Sequence, residues 1–131
     1  MTGGTFRLVP GLRVHDSTMI SVQLGAVSTV EFRRLDGSHT RLVMTDCSEF
    51  GAVGLRNSAI VSTVQAFGMN QHAEEVTVDH WRTLVGGDFD PSAADIAGLS
   101  RTARVLVSID CSFGGALAVM CDSVRVEELS P

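Results

Sequence analysis

The sequence predicts an all-β fold: an antiparallel β-sandwich of jelly-roll-like layout with at most one short helical turn, forming a single domain over residues 1–131. Three observations carry that prediction. The last three runs, Ala103 to Asp110, Gly115 to Cys121 and Asp122 to Leu129, alternate with a period of two, the pattern of half-buried strands. Val105, Val107 and Ile109 share one face, followed by Ala116, Ala118 and Met120, then by Val124 and Val126. Upstream, the chain repeats the scheme in short runs parted by turn residues, and no long amphipathic helical pattern interrupts them. The length suits one domain, which at this size buries a core without metals or disulfides.

From the N-terminus, Thr5 to Val9 is a short strand stopped by the turn pair Pro10-Gly11. Thr18 to Leu24 is a second, with Ile20, Val22 and Leu24 opposite Met19, Ser21 and Gln23, and Gly25 breaks it. Ala26 to Leu35 and Thr40 to Thr45 follow as a hairpin across Asp36-Gly37. Asp tolerates positive φ and Gly adopts it without cost, so the pair predicts a two-residue type I′ turn. Asp46 to Ser58 is rich in small residues and reads as a loop, with at most a short strand near Ala52 to Leu55. Ala59 to Phe67 is a strand, and Gly68 to Glu74 is polar and turn-like. Glu75 to Val85 carries apolar side chains at both parities, Val76, Val78 and Leu84 against Trp81 and Val85. That mixture predicts a strand with a bend or bulge, buried on both faces toward one end. Gly86 to Pro91 ends it, and Ser92 to Leu99 is the one place for a helical turn, with Ser92 as its cap. The Gly-containing connection Cys111 to Gly115 pairs the next two runs as a hairpin.

Charged residues make up 19% of the chain, below the roughly one quarter usual for soluble domains. The mean hydropathy is +0.22. Two readings account for this: apolar surface reserved for oligomer or assembly contacts, or a well-filled core. All ten basic residues are Arg. A net charge of −5 with scattered Arg argues against a nucleic-acid partner, which needs clustered positive charge. No run approaches the roughly eighteen apolar residues of a membrane-spanning helix, so no membrane partner is expected. Met1 to Arg7 lacks the basic and long apolar segments of a secretory leader, which predicts a chain made in the cytoplasm.

Cys47, Cys111 and Cys121 are odd in number and lack zinc-type spacing, so buried free thiols are expected. Thr45-Asp46-Cys47-Ser48 and Ile109-Asp110-Cys111-Ser112 each follow a Leu-Val pair and precede Phe-Gly, either as two equivalent sandwich corners or by chance. Side by side in an oxidising setting, such corners would allow a Cys47–Cys111 bridge.

Four segments then follow one another in a telling order: His80-Trp81-Arg82, Phe89-Asp90-Pro91, Ala103-Arg104-Val105-Leu106-Val107 and Asp122-Ser123-Val124-Arg125-Val126. From about Ala59 to Leu129 the chain resembles the β-sandwich (jelly-roll) carbohydrate-binding modules and galactose-binding-like domains, in which a Trp-bearing strand, a loop, an A-R-V-x-V strand and a closing D-x-V-x-V strand recur. The resemblance implies that Trp81 fills the gap between sheets and that Asp122, Val124 and Val126 build the closing strand. Many relatives hold a structural calcium with an acidic N-terminal loop, yet Met1 to Phe6 offers no acid and Asp122 alone makes no oxygen cage. No metal and no cofactor is expected.

Sugar-binding modules stack pyranose rings on exposed aromatic faces, and this chain has one Trp, six Phe and no Tyr. Trp81, Phe6, Phe32, Phe67 and Phe89 read first as core, and Phe50 and Phe113 as loop exceptions, the candidate contacts for a ligand or partner. A glycosidase needs two carboxylates across a cleft. Adjacent residues on a strand point to opposite faces, so Glu74-Glu75 and Glu127-Glu128 read as solvated edges, as does Asp88/Asp90. His15-Asp16 and Asp79-His80 fail as catalytic dyads on the same ground. Gly3-Gly4, Gly86-Gly87 and Gly114-Gly115 are turn pairs rather than phosphate cradles, and no G-x-S-x-G elbow occurs. His15, His39, His72 and His80 would need four distant loops to converge on a metal. The sequence predicts no enzyme, and two roles stay open. One is a structural or interaction protein, self-associating and docked by protein contacts onto a larger assembly such as a tailed-phage virion, as head decoration or tail component. The other is a glycan-binding module.

Overall fold

The computed structural model describes residues 16–56, 59–68, 76, 78–85 and 105–129. Among them the fold is all-β, with eight antiparallel strands and one short helix. In chain order these are β1 (Thr18–Gln23), β2 (Val27–Arg33), β3 (His39–Thr45), β4 (Glu49–Val53), β5 (Ala59–Gly68), α1 (Val78–Val85), β6 (Val105–Cys111), β7 (Ala116–Cys121) and β8 (Ser123–Leu129). The strands form one sheet in the order β4-β7-β6-β5-β1-β2-β3-β8.

That sheet closes on itself. β3 runs into β4 through Asp46, whose φ is +52°, and β7 runs into β8 through Asp122, so each pair is one bent strand. The two bent strands stay paired across the bend, from His39↔Leu129 to Thr45↔Ser123 and again from Glu49↔Met120 to Val53↔Ala116. Hydrogen bonds from Ser48 N–H to Met120 O and from Asp122 N–H to Thr45 O, both 3.0 Å, carry the ladder through the corner. At the opposite seam β1 meets β5 over Thr18↔Ile60 and Met19↔Ala59. Asp16 N–H donates to Val61 O there and Val61 N–H to Ser17 O, both at 2.9 Å. The two layers expected of a sandwich are therefore halves of one sheet, β4-β7-β6-β5 folded against β1-β2-β3-β8. The nested pairs β3·β8, β4·β7 and β5·β6 are those of a rolled hairpin, whereas β1·β2·β3 and β6·β7 are consecutive, meander-type pairs.

The main core fills the space between the halves. Phe32, Leu42 and Met44 from one side meet Val64, Ile109, Leu117 and Val119 from the other, and Val124 and Val126 of β8 pack against them. Two bulges set which side chains enter. The register slips between Met19 and Ser21 on β1, and between Val61 and Thr63 on β5. An extra residue on one strand brings side chains three apart onto one face, so Met19 and Val22 both reach this core, as do Val61 and Val64. The strict alternation expected along Thr18 to Leu24 gives way at that bulge, and Leu24 is exposed.

A second core lies on the outer face of β5-β6-β7, under α1. Phe67↔Leu106↔Met120 is a cross-strand row of large side chains, and Trp81, Leu84 and Val76 cover it. The neighbouring row, Ser108↔Ala118↔Gly51, is built of small residues and lets the helix approach the sheet. At Gly51 a Cβ would sit 2.1 Å from Thr83 O and 2.7 Å from Leu84 O, so no side chain fits.

Several expectations change here. Residues 78–85 are a helix, not a bent strand: the apolar set Val78, Trp81, Leu84 and Val85 has helical spacing, and the two-parity pattern was its projection. Asp79 in the first turn and Arg82 in the last suit the helix dipole. The stretch read as a loop contains β4, earlier than the strand expected near Ala52 to Leu55. On β7 the residues facing Val105, Val107 and Ile109 are Cys121, Val119 and Leu117, while Ala118 and Met120 turn to the helix. Asp36-Gly37 does not make a type I′ turn. Arg34 N–H donates to Ser38 O (2.8 Å), Gly37 N–H to Arg34 O (3.0 Å), and Gly37 alone has positive φ, +88°. That is a three-residue loop, a type I turn closed by a left-handed glycine, and the Asp36 carboxylate locks it by accepting from Ser38 N and Oγ. The strand at Thr5 to Val9, the turn at Ser92 to Leu99, and Phe6, Phe89, His15 and His72 lie outside the described residues.

Candidate functional site

One end of the barrel is built by three crossings of backbone. The β6–β7 hairpin turns through Ser112, Phe113 and Gly114, closed by Cys111 N–H to Gly115 O at 3.0 Å. Ser112 N–H donates to Ile60 O (2.8 Å), which ties the hairpin tip to the start of β5. Gly115 lies against Gly54, just past β4, so closely that a Cβ on it would meet Gly54 O at 2.8 Å. These contacts leave a surface cavity of about 150 Å³, with Arg56, Ile60, Cys111 and Phe113 among its lining side chains. Phe113 is 77% exposed, Val53 52% and Ile60 38%, an apolar surface held on a rigid frame.

The electrostatics leave Arg56, like Arg33, without an ion-pair partner among the described residues. On the outer face of β2-β3-β8, Arg41 sits between Glu31 (2.9 Å) and Glu127 (3.3 Å), and Arg125 also reaches Glu127 (3.0 Å). Arg34 reaches Glu128 at 2.9 Å. Arg56 has no hydrogen-bond or ion-pair partner among the described residues. In the cavity wall, burial pushes the Cys111 thiol above its ordinary value, and the Asp110 charge adds to the rise, so this thiol stays protonated at neutral pH.

The sequence-derived candidates separate into two groups. Trp81, 2% exposed, sits in the second core, where its Nε1 finds no hydrogen-bond partner among the described residues. Val124 and Val126 face the main core, and Asp122 marks the exposed corner between β7 and β8. Phe113 and Phe50 are the exposed aromatics among the described residues; both read as loop residues in the sequence, but Phe50 lies on a strand. The structure puts Phe113 on the cavity and Phe50, 42% exposed, on β4 at one end of the strand order. Arg56, Ile60 and Gly54 escaped notice in the sequence. Their only signal was an arginine alone in a stretch of small residues.

Glu127 and Glu128 do point to opposite faces, Glu127 to Arg41 and Glu128 to Thr40 and Arg34. The two Asp-Cys-Ser strings are not equivalent corners: Cys47 follows a bend within one long strand and Cys111 ends a hairpin strand. All three thiols are free. His80 packs against Phe67 with ring centroids 5.0 Å apart and planes tilted by 58°, and burial lowers its pKa against the opposing pull of Asp110 and Asp79. No group of three or more His, Cys, Asp or Glu among the described residues is arranged to hold a metal. No described helix is long and apolar enough to cross a membrane.

What the fold and this end of the barrel define is a class: a closed antiparallel barrel with one covering helix and an apolar, arginine-edged cavity. In comparison with known proteins, no family, no curated protein and no solved structure matches the chain. The likeness to carbohydrate-binding modules rests on the sequence motifs alone.

Proposed function

We propose that the chain is a non-catalytic interaction module that docks by protein contacts onto a larger assembly. The observation that carries this reading is Phe113, a largely exposed aromatic on a hairpin tip tied down by backbone hydrogen bonds to β5. An apolar ring held rigidly in water is unfavourable until covered, and its rigidity means that covering it costs little further conformational entropy. Aromatic anchors of this kind dominate the energetics of protein interfaces. A low share of charged residues, 19%, supports the same reading. Within it, the assembly we favour is a tailed-phage virion, with the chain as a head decoration or tail component.

Burial of Trp81 supports docking over glycan recognition, because a sugar platform needs an exposed aromatic face. A glycan array tests the choice. Docking predicts no specific hits; glycan binding that disappears in Phe113→Ser or Phe50→Ser overturns it in favour of a carbohydrate-binding module.

A further inference from the structure

We propose that the cavity beside Phe113 receives the Glu49-Phe50 segment of a second copy of this chain, the Phe50 ring entering the cavity and the Glu49 carboxylate meeting Arg56. The inference rests on the docking reading and names what docks. A cavity of about 150 Å³ is too small for a cofactor, whose sites run to roughly 300–1,000 Å³, but it suits one large apolar side chain. Its walls are apolar where Ile60 and Phe113 meet, and they are preformed by the Ser112–Ile60 and Cys111–Gly115 hydrogen bonds. The occupant therefore needs an exposed apolar side chain on an accessible backbone, with a negative charge beside it for Arg56.

Glu49-Phe50 meets those requirements. Both residues are exposed, and they lie on β4, which ends the strand order and pairs on one side with β7. Neighbouring residues on a strand point to opposite faces, so viewed from the edge that has no partner strand among the described residues the ring and the carboxylate straddle the strand. The ring enters while the carboxylate stays at the rim, where the guanidinium lies. Glu49, like Arg56, has no hydrogen-bond or ion-pair partner among the described residues. The alternative two-copy arrangement, Phe113 against Phe113 across a two-fold axis, would bring Arg56 toward its own copy, and like charges across an interface are strongly unfavourable. Charge complementarity thus favours the β4 edge over that arrangement. Because Glu49-Phe50 and the cavity are different patches, the contact either closes as a reciprocal dimer or propagates head to tail into a ring or filament.

Sedimentation of the full chain over a concentration series tests this, with the emission of the single Trp reporting that each variant is folded. Association above the monomer is expected. Arg56→Glu and Glu49→Arg should each weaken it about tenfold or more, and the double exchange should restore most of the loss. Phe50→Ser and Phe113→Ser should abolish it. A double exchange no better than either single one overturns the inference, as does a protein that stays monomeric. Association that depends on Phe113 but ignores Glu49 and Arg56 also overturns it, while leaving the docking reading in place, which the glycan array addresses separately.

Discussion

Gly51→Ala tests the packing that closes the outer core. The added Cβ would lie 2.1 Å from the Thr83 carbonyl oxygen and 2.7 Å from that of Leu84, and both are backbone atoms that no rotamer change can move. Carbon–oxygen contacts normally begin near about 3.3 Å, so helix and strand must separate by roughly 1 Å. A gap of that size forfeits about a quarter to a half of the dispersion attraction between the facing atoms. Overpacking of a core costs about 1–3 kcal/mol. Here the strain and the loosened contacts of Trp81 and Leu84 fall on the same interface, which brings the loss to about 2–4 kcal/mol. Alanine restricts the unfolded chain and offsets about 0.4–1 kcal/mol of that. The net is about 2–3 kcal/mol, or roughly 6–12 °C in Tm for a domain of this size. Urea unfolding followed by far-ultraviolet circular dichroism gives the free energy, and Trp81 emission reports the helix contact. Gly37→Ala is the control: its φ is +88° but nothing lies within 4 Å of its Cβ position, so it should cost only conformational strain, about 1–2 kcal/mol, with unchanged emission. A Gly51→Ala protein within about 0.5 kcal/mol of the parent, with unshifted emission, would refute the close approach of α1 to β4.

Trp81→Ala should destabilise by about 3–5 kcal/mol in the same unfolding assay, since the ring fills the space between helix and sheet; a loss under about 1 kcal/mol would remove it from the core. Arg41→Gln should lower stability at low ionic strength and much less in molar salt, because the pairs with Glu31 and Glu127 lie on a solvated sheet face. A salt-independent loss would mean the side chain acts through packing. His80 carries a pH signature. The unfolded imidazole titrates near about 6.5 and the folded one lower, so as pH falls through that window the unfolded state takes up a proton the folded state resists. Stability should therefore drop as pH falls below about 6.5 and level off beneath the folded pKa. His80→Phe, which keeps a ring against Phe67, should flatten that segment of the profile, and an unchanged slope would assign it to another group.

Much of the fold was legible from local pattern. Alternation marked β2, β3 and β5 through β8 because each has at least one face on a core, and a strand's period of two survives any topology. Of the candidate site, Phe113 was legible as a loop aromatic, whereas Phe50, read the same way, lies on β4. Arg56 was not legible, because a single arginine reveals nothing until its neighbours across the chain are located in space. The helix was misread for a related reason. Val76, Thr77, Val78 and Thr83 favour strand on local propensity, and α1 exists because Trp81 and Leu84 find the Phe67–Leu106–Met120 row to cover.

By itself, then, the amino-acid order determined the class of structure, the placement of most strands and the turn positions, all properties of neighbours along the chain. Only the tertiary structure decided that the sheet closes on itself, that β7 is buried on both faces, and that Arg56 and Phe113 share a cavity. Each of those depends on pairing between segments tens of residues apart, where register and burial, rather than local preference, set the lowest free energy.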